Sequence, residues 1–245
     1  THTLRILSNQ VTAISGGPGT DGNREPFSGR IALSDGIGPV ELALDGVACQ
    51  VTWGGAFYLG RDNAVTLLLP NGTGNLFESG EGFAGIALGD GTTLCIDRGE
   101  PPSGGVPDGT LAASGSGGGA GIGRDSESGR DRTSEILIRG GVITARGSGG
   151  GSGIGAGKHG FMGPVTMLGG RVDATGEKGG AGIGGGLGAP VGDIHIHGGT
   201  VTAAATGHAA AIGAGVHGGC GDILIDGTAR IRRARGGNPG ADIGA

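Results

Sequence analysis

The chain has 245 residues, 64 of them glycine, with a formal net charge of −5 and only 3% aromatic residues. Collagen is excluded because glycine does not recur at every third position, and disorder because 36% of the residues are apolar. The weak acidic charge argues against a nucleic-acid footprint, and no run approaches the roughly 18 apolar residues of a membrane span.

The apolar side chains are mostly Ile, Val, Leu and Ala, which suits a narrow repetitive core better than a wide one built on rings. The first clear strand signal is Val40-Glu41-Leu42-Ala43-Leu44-Asp45-Gly46, with apolar residues at alternate positions. Aromatics then gather at Trp53, Phe57 and Tyr58, with Phe77 and Phe83 nearby. Trp53 and Tyr58 are candidates to stack on a sugar ring; the alternative is that they seal the irregular end of the core. Val65, Leu67 and Leu69 alternate, Ile86 follows, and Leu94 and Ile96 repeat Val65 and Leu67. Residues 97–109 (DRGEPPSGGVPDG) read as a proline-rich surface loop. The strand resumes at Thr110-Leu111-Ala112-Ala113, and a glycine-rich turn covers Gly117–Gly123. Residues 124–135 (RDSESGRDRTSE) make a second polar loop.

From there a 29-residue repeat is plain: Ile136, Val165, Ile194 and Ile223 open the segments ILIRGG, VTMLGG, IHIHGG and ILIDGT. A lone isoleucine, Ile154, Ile183 or Ile212, follows 18 residues after the first three. Such a period means stacked supersecondary units. Each unit reads as strand, Gly-Gly corner, strand, glycine-rich turn, and a short third segment centred on the lone Ile. Two or three short strands cannot bury their apolar faces alone; wound into coils about 4.8 Å apart they enclose a continuous core. The expected fold is all-β: a right-handed parallel β-helix, or solenoid, of roughly seven coils. One domain spans 1–245, with irregular coils over 1–91 and regular glycine-rich coils over 92–245. Starting at Thr1 without a signal peptide and ending at Ala245 inside a repeat, the chain reads as a fragment of something longer.

The strings TLCIDRGE and GTLAASGSGGGAGIG, followed by GGRVDATGEKGGAGIGGG, resemble bacterial surface-associated β-helix repeat proteins, many labelled carbohydrate-binding. Those carry tandem units close to TLTIDGGTVTATGGxGGAGIGGG. The resemblance runs from about Val40 to Ala245. It implies a pectate-lyase-like architecture, an extracellular or cell-surface location, and binding of acidic polysaccharide in some relatives. It carries over no catalytic residue.

Stacking turns the repeat into ladders. One outward row is Leu137, Thr166, His195, Leu224; the next is Arg139, Leu168, His197, Asp226. His197 and Asp226 therefore fall in adjacent coils, as an oriented general-base pair or as an ordinary surface pair. On the second strand Thr144, Asp173, Thr202 and Arg232 are expected to stack, beside Val142, Arg171 and Thr200. Arg171, Asp173 and Thr202 make a polar face suited to sugar hydroxyls or a uronate, or simply a solvated one. Asp173 and Arg232 break the threonine row that ice binding would use. Asp193 and Asp222, one coil apart, are candidates for a calcium ion, or turn residues. His159 and His217 are two coils apart and His208 stands alone, so no histidine metal site is expected. Glycine-rich GxGxxG matches open no helix, which removes a phosphate-binding reading. Cys49, Cys95 and Cys220 fit no zinc pattern; they read as free thiols, with one disulfide as the alternative.

The leading expectation is a non-catalytic polysaccharide-binding or adhesion module. Its catalytic rival is a lyase or glycosidase using Asp173, His197 and Asp226, with no cofactor. A third class is a structural spacer that associates end to end or side by side, since strand edges at a cut coil invite pairing.

Overall fold

A computed structural model describes residues 2–10, 12–16, 27, 29–99, 105–129 and 133–244. Pro101 and Pro102 of the first polar loop, residues 130–132 of the second, and the chain ends Thr1 and Ala245 lie outside the described residues.

Among the described residues there are only strands, and they form three parallel sheets. The first sheet has eight strands, from Ala13–Ser15 to Ile223–Ile225, and contains the repeat-opening residues. The second has seven, from Ala48–Gln50 to Arg230–Arg235. The third has nine short strands, from Thr3–Ile6 to Ile243–Gly244, and holds the lone isoleucines. Each sheet takes one strand from each successive coil. This is a parallel β-helix of about eight coils rather than seven. The extra coil comes from Thr3–Ile6, Ala13–Ser15 and Arg30–Leu33, whose strands pair in register with those of the next coil.

The opening residues form one column, with Ile136 beside Val165, Val165 beside Ile194 and Ile194 beside Ile223. Leu94 and Val65 continue it toward the N-terminus. Ile122, Ile154, Ile183 and Ile212 form the facing column. Together with the inward residues of the second sheet they make one aliphatic core along the rod. Full burial of each such side chain stabilises by about 1.5–3 kcal/mol. Among the described residues the fully buried rings, Phe57 and Phe77, lie in the N-terminal coils with centroids 5.1 Å apart.

The corner between the first and second sheets needs positive φ at the second glycine of each pair, at +85° for Gly141, +81° for Gly170 and +85° for Gly199. In the irregular coils glycines at the bends, such as Gly46 and Gly72, are joined by buried polar side chains. Asn63 donates to the Ser34 and Leu59 carbonyls and accepts from the Ile37 amide. Asn75 accepts from the Val47 amide and donates to the Leu44 carbonyl. These bonds satisfy backbone groups that a tight repeat would otherwise pair coil to coil.

Candidate functional site

The outer faces of the three sheets carry three separate polar features, each built by ladder stacking.

On the first sheet, Thr166 pairs with His195 and His195 with Leu224, as the repeat predicts. His195 and His197 project from one face, with ring centroids 5.8 Å apart. Just past the strand, His197 Nδ1 lies 2.6 Å from Asp226 Oδ1 in the next coil. The pair is half exposed, so its attraction is screened by solvent.

On the second sheet, Thr144 pairs with Asp173, Asp173 with Thr202, and Arg171 with Thr200. The expected fourth member, Arg232, is not there. A bulge after Ile231 sets Arg233 beside Thr202 and Ala234 beside Ala203. The cause is the sequence Ile231-Arg232-Arg233-Ala234: strict alternation would drive Arg233 into the core, and one extra residue returns Ala234 to the inside. Asp173, Thr202, Thr206, Arg233, Arg235 and Asn238 line a groove of about 640 Å³. Neither Arg171 nor the His197–Asp226 pair lines it. The three residues proposed for acid/base chemistry are thus divided between two sheets.

On the third sheet lies a cleft that the repeat pattern does not announce. Tyr58 packs against Ala84, Ala87 and Ala120. Its hydroxyl hydrogen-bonds Arg61, and partial burial with the nearby Asp35 carboxylate raises its pKa. Tyr58, Arg61, Phe83, Asp90 and Asp125 are among the residues around a concavity of about 510 Å³. A second concavity, about 430 Å³ and bordered by Arg5, Arg30, Ser34 and Asp35, also has Tyr58 in its wall. Asp125 accepts from the Ala84 amide at 2.7 Å. Desolvation raises its pKa, against the opposing pull of that bond, Arg124 and Arg30.

Arg124 forms the floor of this cleft and is only 3% exposed. It stands two residues after Ile122, where the other coils hold Leu59, Leu88, Ala156, Gly185 or Ala214. All five of its N–H groups are engaged, by Ser128, the Leu88 carbonyl, Ser134, Asp90 and the Gly129 carbonyl. None remains for a ligand. Arg124 therefore ties Ser128, Gly129 and Ser134 to the coil, and residues 126–129 become part of the cleft wall. An arginine in an otherwise aliphatic or small-residue column was the readable signal of this cleft.

Trp53 is 79% exposed, so it does not seal the core; the buried rings there are Phe57 and Phe77. Trp53 is also not part of the Tyr58 cleft wall. The Asp193 carboxylate accepts the Asp222 amide at 2.9 Å, which is the turn role of such residues. His159 and His217 share the left-handed position of their turns, at φ +56° and +58°. Cys49, Cys95 and Cys220 are free thiols. Burial pushes Cys49 up to about 11, and burial with the Asp193 and Asp222 charges does the same for Cys220.

Three in-register parallel sheets closed round an aliphatic core define the class of this protein, a parallel β-helix made of repeat coils. The family model described as Beta helix repeat matches residues 136–158, 165–187 and 194–220, each segment starting at an inward opening residue. No curated protein and no solved structure matches the chain.

Proposed function

We propose that this protein is a non-catalytic glycan-binding module acting at the bacterial cell surface or outside the cell. One observation carries the reading: Tyr58 stands between two adjoining concavities, with its ring on an alanine platform and arginines and carboxylates on both sides. An aromatic face supplies apolar area for a sugar ring, and Arg61, Asp35 and Asp90 supply donors and acceptors for its hydroxyls. The trough crosses five successive third-sheet strands, from Arg5 to Arg124, or about 19 Å at the coil spacing. That length suits a short oligosaccharide lying along the rod. The resemblance of its units to bacterial surface repeats supports the extracellular assignment. The groove at Asp173, Thr202, Arg233 and Arg235, with its excess of guanidinium groups, suits an acidic sugar.

A second reading, cleavage of the glycan, is favoured by Asp125, whose desolvated carboxyl has the raised pKa of a proton donor.

The test is a glycan array with the full chain, followed by calorimetry on any oligosaccharide retained. Binding is expected to fall at least tenfold in Tyr58→Ala and to be unchanged in Trp53→Ala. An array with no retained glycan, or wild-type affinity in Tyr58→Ala and in Arg233→Ala, would overturn the assignment. Shortening of a bound oligosaccharide that stops in Asp125→Asn would select the second reading.

A further inference from the structure

We propose that His195 and His197 form a two-imidazole site for a divalent transition metal of the copper and zinc class, with Asp226 as its orienting residue. The site does not depend on the glycan reading and lies on a different sheet.

The argument begins with strand periodicity. Residues two apart on a strand face the same way, so the 195/197 spacing sets both imidazoles on the outer face of one coil. Their centroids are 5.8 Å apart. A metal bound at about 2.1 Å from a ring nitrogen lies about 3.2 Å from that ring's centre. Nitrogen–metal–nitrogen angles between tetrahedral and linear then require centroids about 5.2–6.4 Å apart. The observed separation falls inside this window without backbone movement.

Asp226 makes His197 a better ligand than an ordinary surface histidine. With its oxygen 2.6 Å from Nδ1, the carboxylate favours the tautomer carrying the proton there. Nε2 is then left with its lone pair free. The carboxylate also fixes the orientation of the ring, as second partners of metal-bound histidines do. Leu168 and Leu224, partly exposed at 48% and 44%, are the ladder neighbours of His197 and His195. Among the described residues no three His, Cys, Asp or Glu side chains group as a metal cage. The remaining coordination positions therefore fall to water, which marks an open site rather than a closed structural one.

The chain has six histidines, and the four outside this pair supply a one-nitrogen background. The experiment adds Cu²⁺ to the full chain and reads the nitrogen hyperfine pattern of the first equivalent by electron paramagnetic resonance. Zn²⁺ affinity is read in parallel by calorimetry. Two coupled imidazole nitrogens are expected in the first equivalent. His195→Ala and His197→Ala should each weaken Zn²⁺ at least tenfold and reduce the pattern to one nitrogen. Asp226→Asn should keep two nitrogens and weaken Zn²⁺ about tenfold. His195 and His197 are half-buried and Asp226 is exposed, and thermal unfolding identical to wild type checks that the coil is intact. A one-nitrogen first equivalent in the wild type, or unchanged Zn²⁺ affinity in His195→Ala, would overturn the site. Wild-type affinity in Asp226→Asn would remove the orienting role.

Discussion

A methyl group on Gly184 would sit 1.9 Å from the carbonyl oxygen of Gly213 in the next coil. The same relation links Gly123 to Gly155, Gly155 to Gly184 and Gly213 to Gly244, at 1.9, 2.1 and 1.8 Å. These third-sheet glycines hold φ between +129° and +142°, where a side chain is strained as well as obstructed. The lone Ile is followed by Gly because backbone packs directly on backbone there. Gly184→Ala is therefore expected to lower unfolding free energy by about 4 kcal/mol, summing strain and displacement of the neighbouring coil. Gly219→Ala, with nothing within 4 Å of the added carbon, should stay within about 0.5 kcal/mol of wild type. Urea unfolding midpoints of the two variants decide this; equal midpoints would mean that the column has room.

Arg124 separates what the sequence discloses from what it hides. Ladder neighbours such as His195 beside Leu224, and His197 near Asp226, were legible because a strict 29-residue period converts directly into register. Arg232 failed as a neighbour of Thr202 because the extra residue in that strand changes register without changing the period. The doubled arginine between Ile231 and Ala234 was the available sign. The Tyr58 cleft was hidden for a different reason. Asp90, Arg124 and Asp125 come from coils separated by polar insertions, where counting by 29 no longer finds the neighbour. Only the charge at position 124, two after a lone Ile, marked it. The histidine pair was visible as two residues at alternate positions of one coil, but a ligand role needs a ring separation, which periodicity does not provide.

Replacing Arg124 tests its loop-tying role. Removing the guanidinium leaves Asp90 without its buried partner and four further acceptors short of a donor. Loss of one member of a buried pair costs about 3–5 kcal/mol. Lysine retains the charge but cannot reproduce five donors in a planar fork. Arg124→Lys should therefore unfold at nearly the denaturant concentration of Arg124→Met. Proteolysis should nick both variants first within 124–135. Recovery of wild-type stability by lysine would show that charge alone suffices.

The residue five positions after each third-sheet core residue lies in the left-handed region throughout the described coils. It is Gly36, Asp62, Gly91, Glu127, His159, Gly188 and His217, with φ from +54° to +69°. Left-handed backbone costs a side-chain-bearing residue roughly 1–2 kcal/mol, while glycine gives back about 0.5–1 kcal/mol through the entropy of the unfolded chain. His217 is exposed, so its replacement sacrifices little packing. His217→Gly should thus stabilise by about 0.5 kcal/mol, opposite to the usual effect of adding glycine. Gly188→Ala should destabilise by about 1 kcal/mol or more, since its added carbon would also lie 2.6 Å from His159 Cδ2. Thermal melts of the two single variants carry the test, and a lower melting temperature in His217→Gly would refute the strain argument.

The Asp125 carboxyl gives the protein a pH dependence whose sign follows from its raised pKa. Below the unfolded value of about 3.9 the group is protonated in both states. There the folded state's preference for the neutral acid contributes fully. As pH rises through the folded value that contribution is lost, because an ionised carboxylate must then be held with part of its solvation removed. Asparagine keeps an oxygen for the Ala84 amide but never ionises. Asp125→Asn should therefore match wild type near pH 3.5 and become the more stable of the two as pH rises toward 7, with a plateau once Asp125 is fully charged. Denaturant titrations at half-unit pH steps measure the difference curve. A curve that is flat, or that falls with pH, would mean that Arg124 and Arg30 stabilise the ionised carboxylate more than burial penalises it.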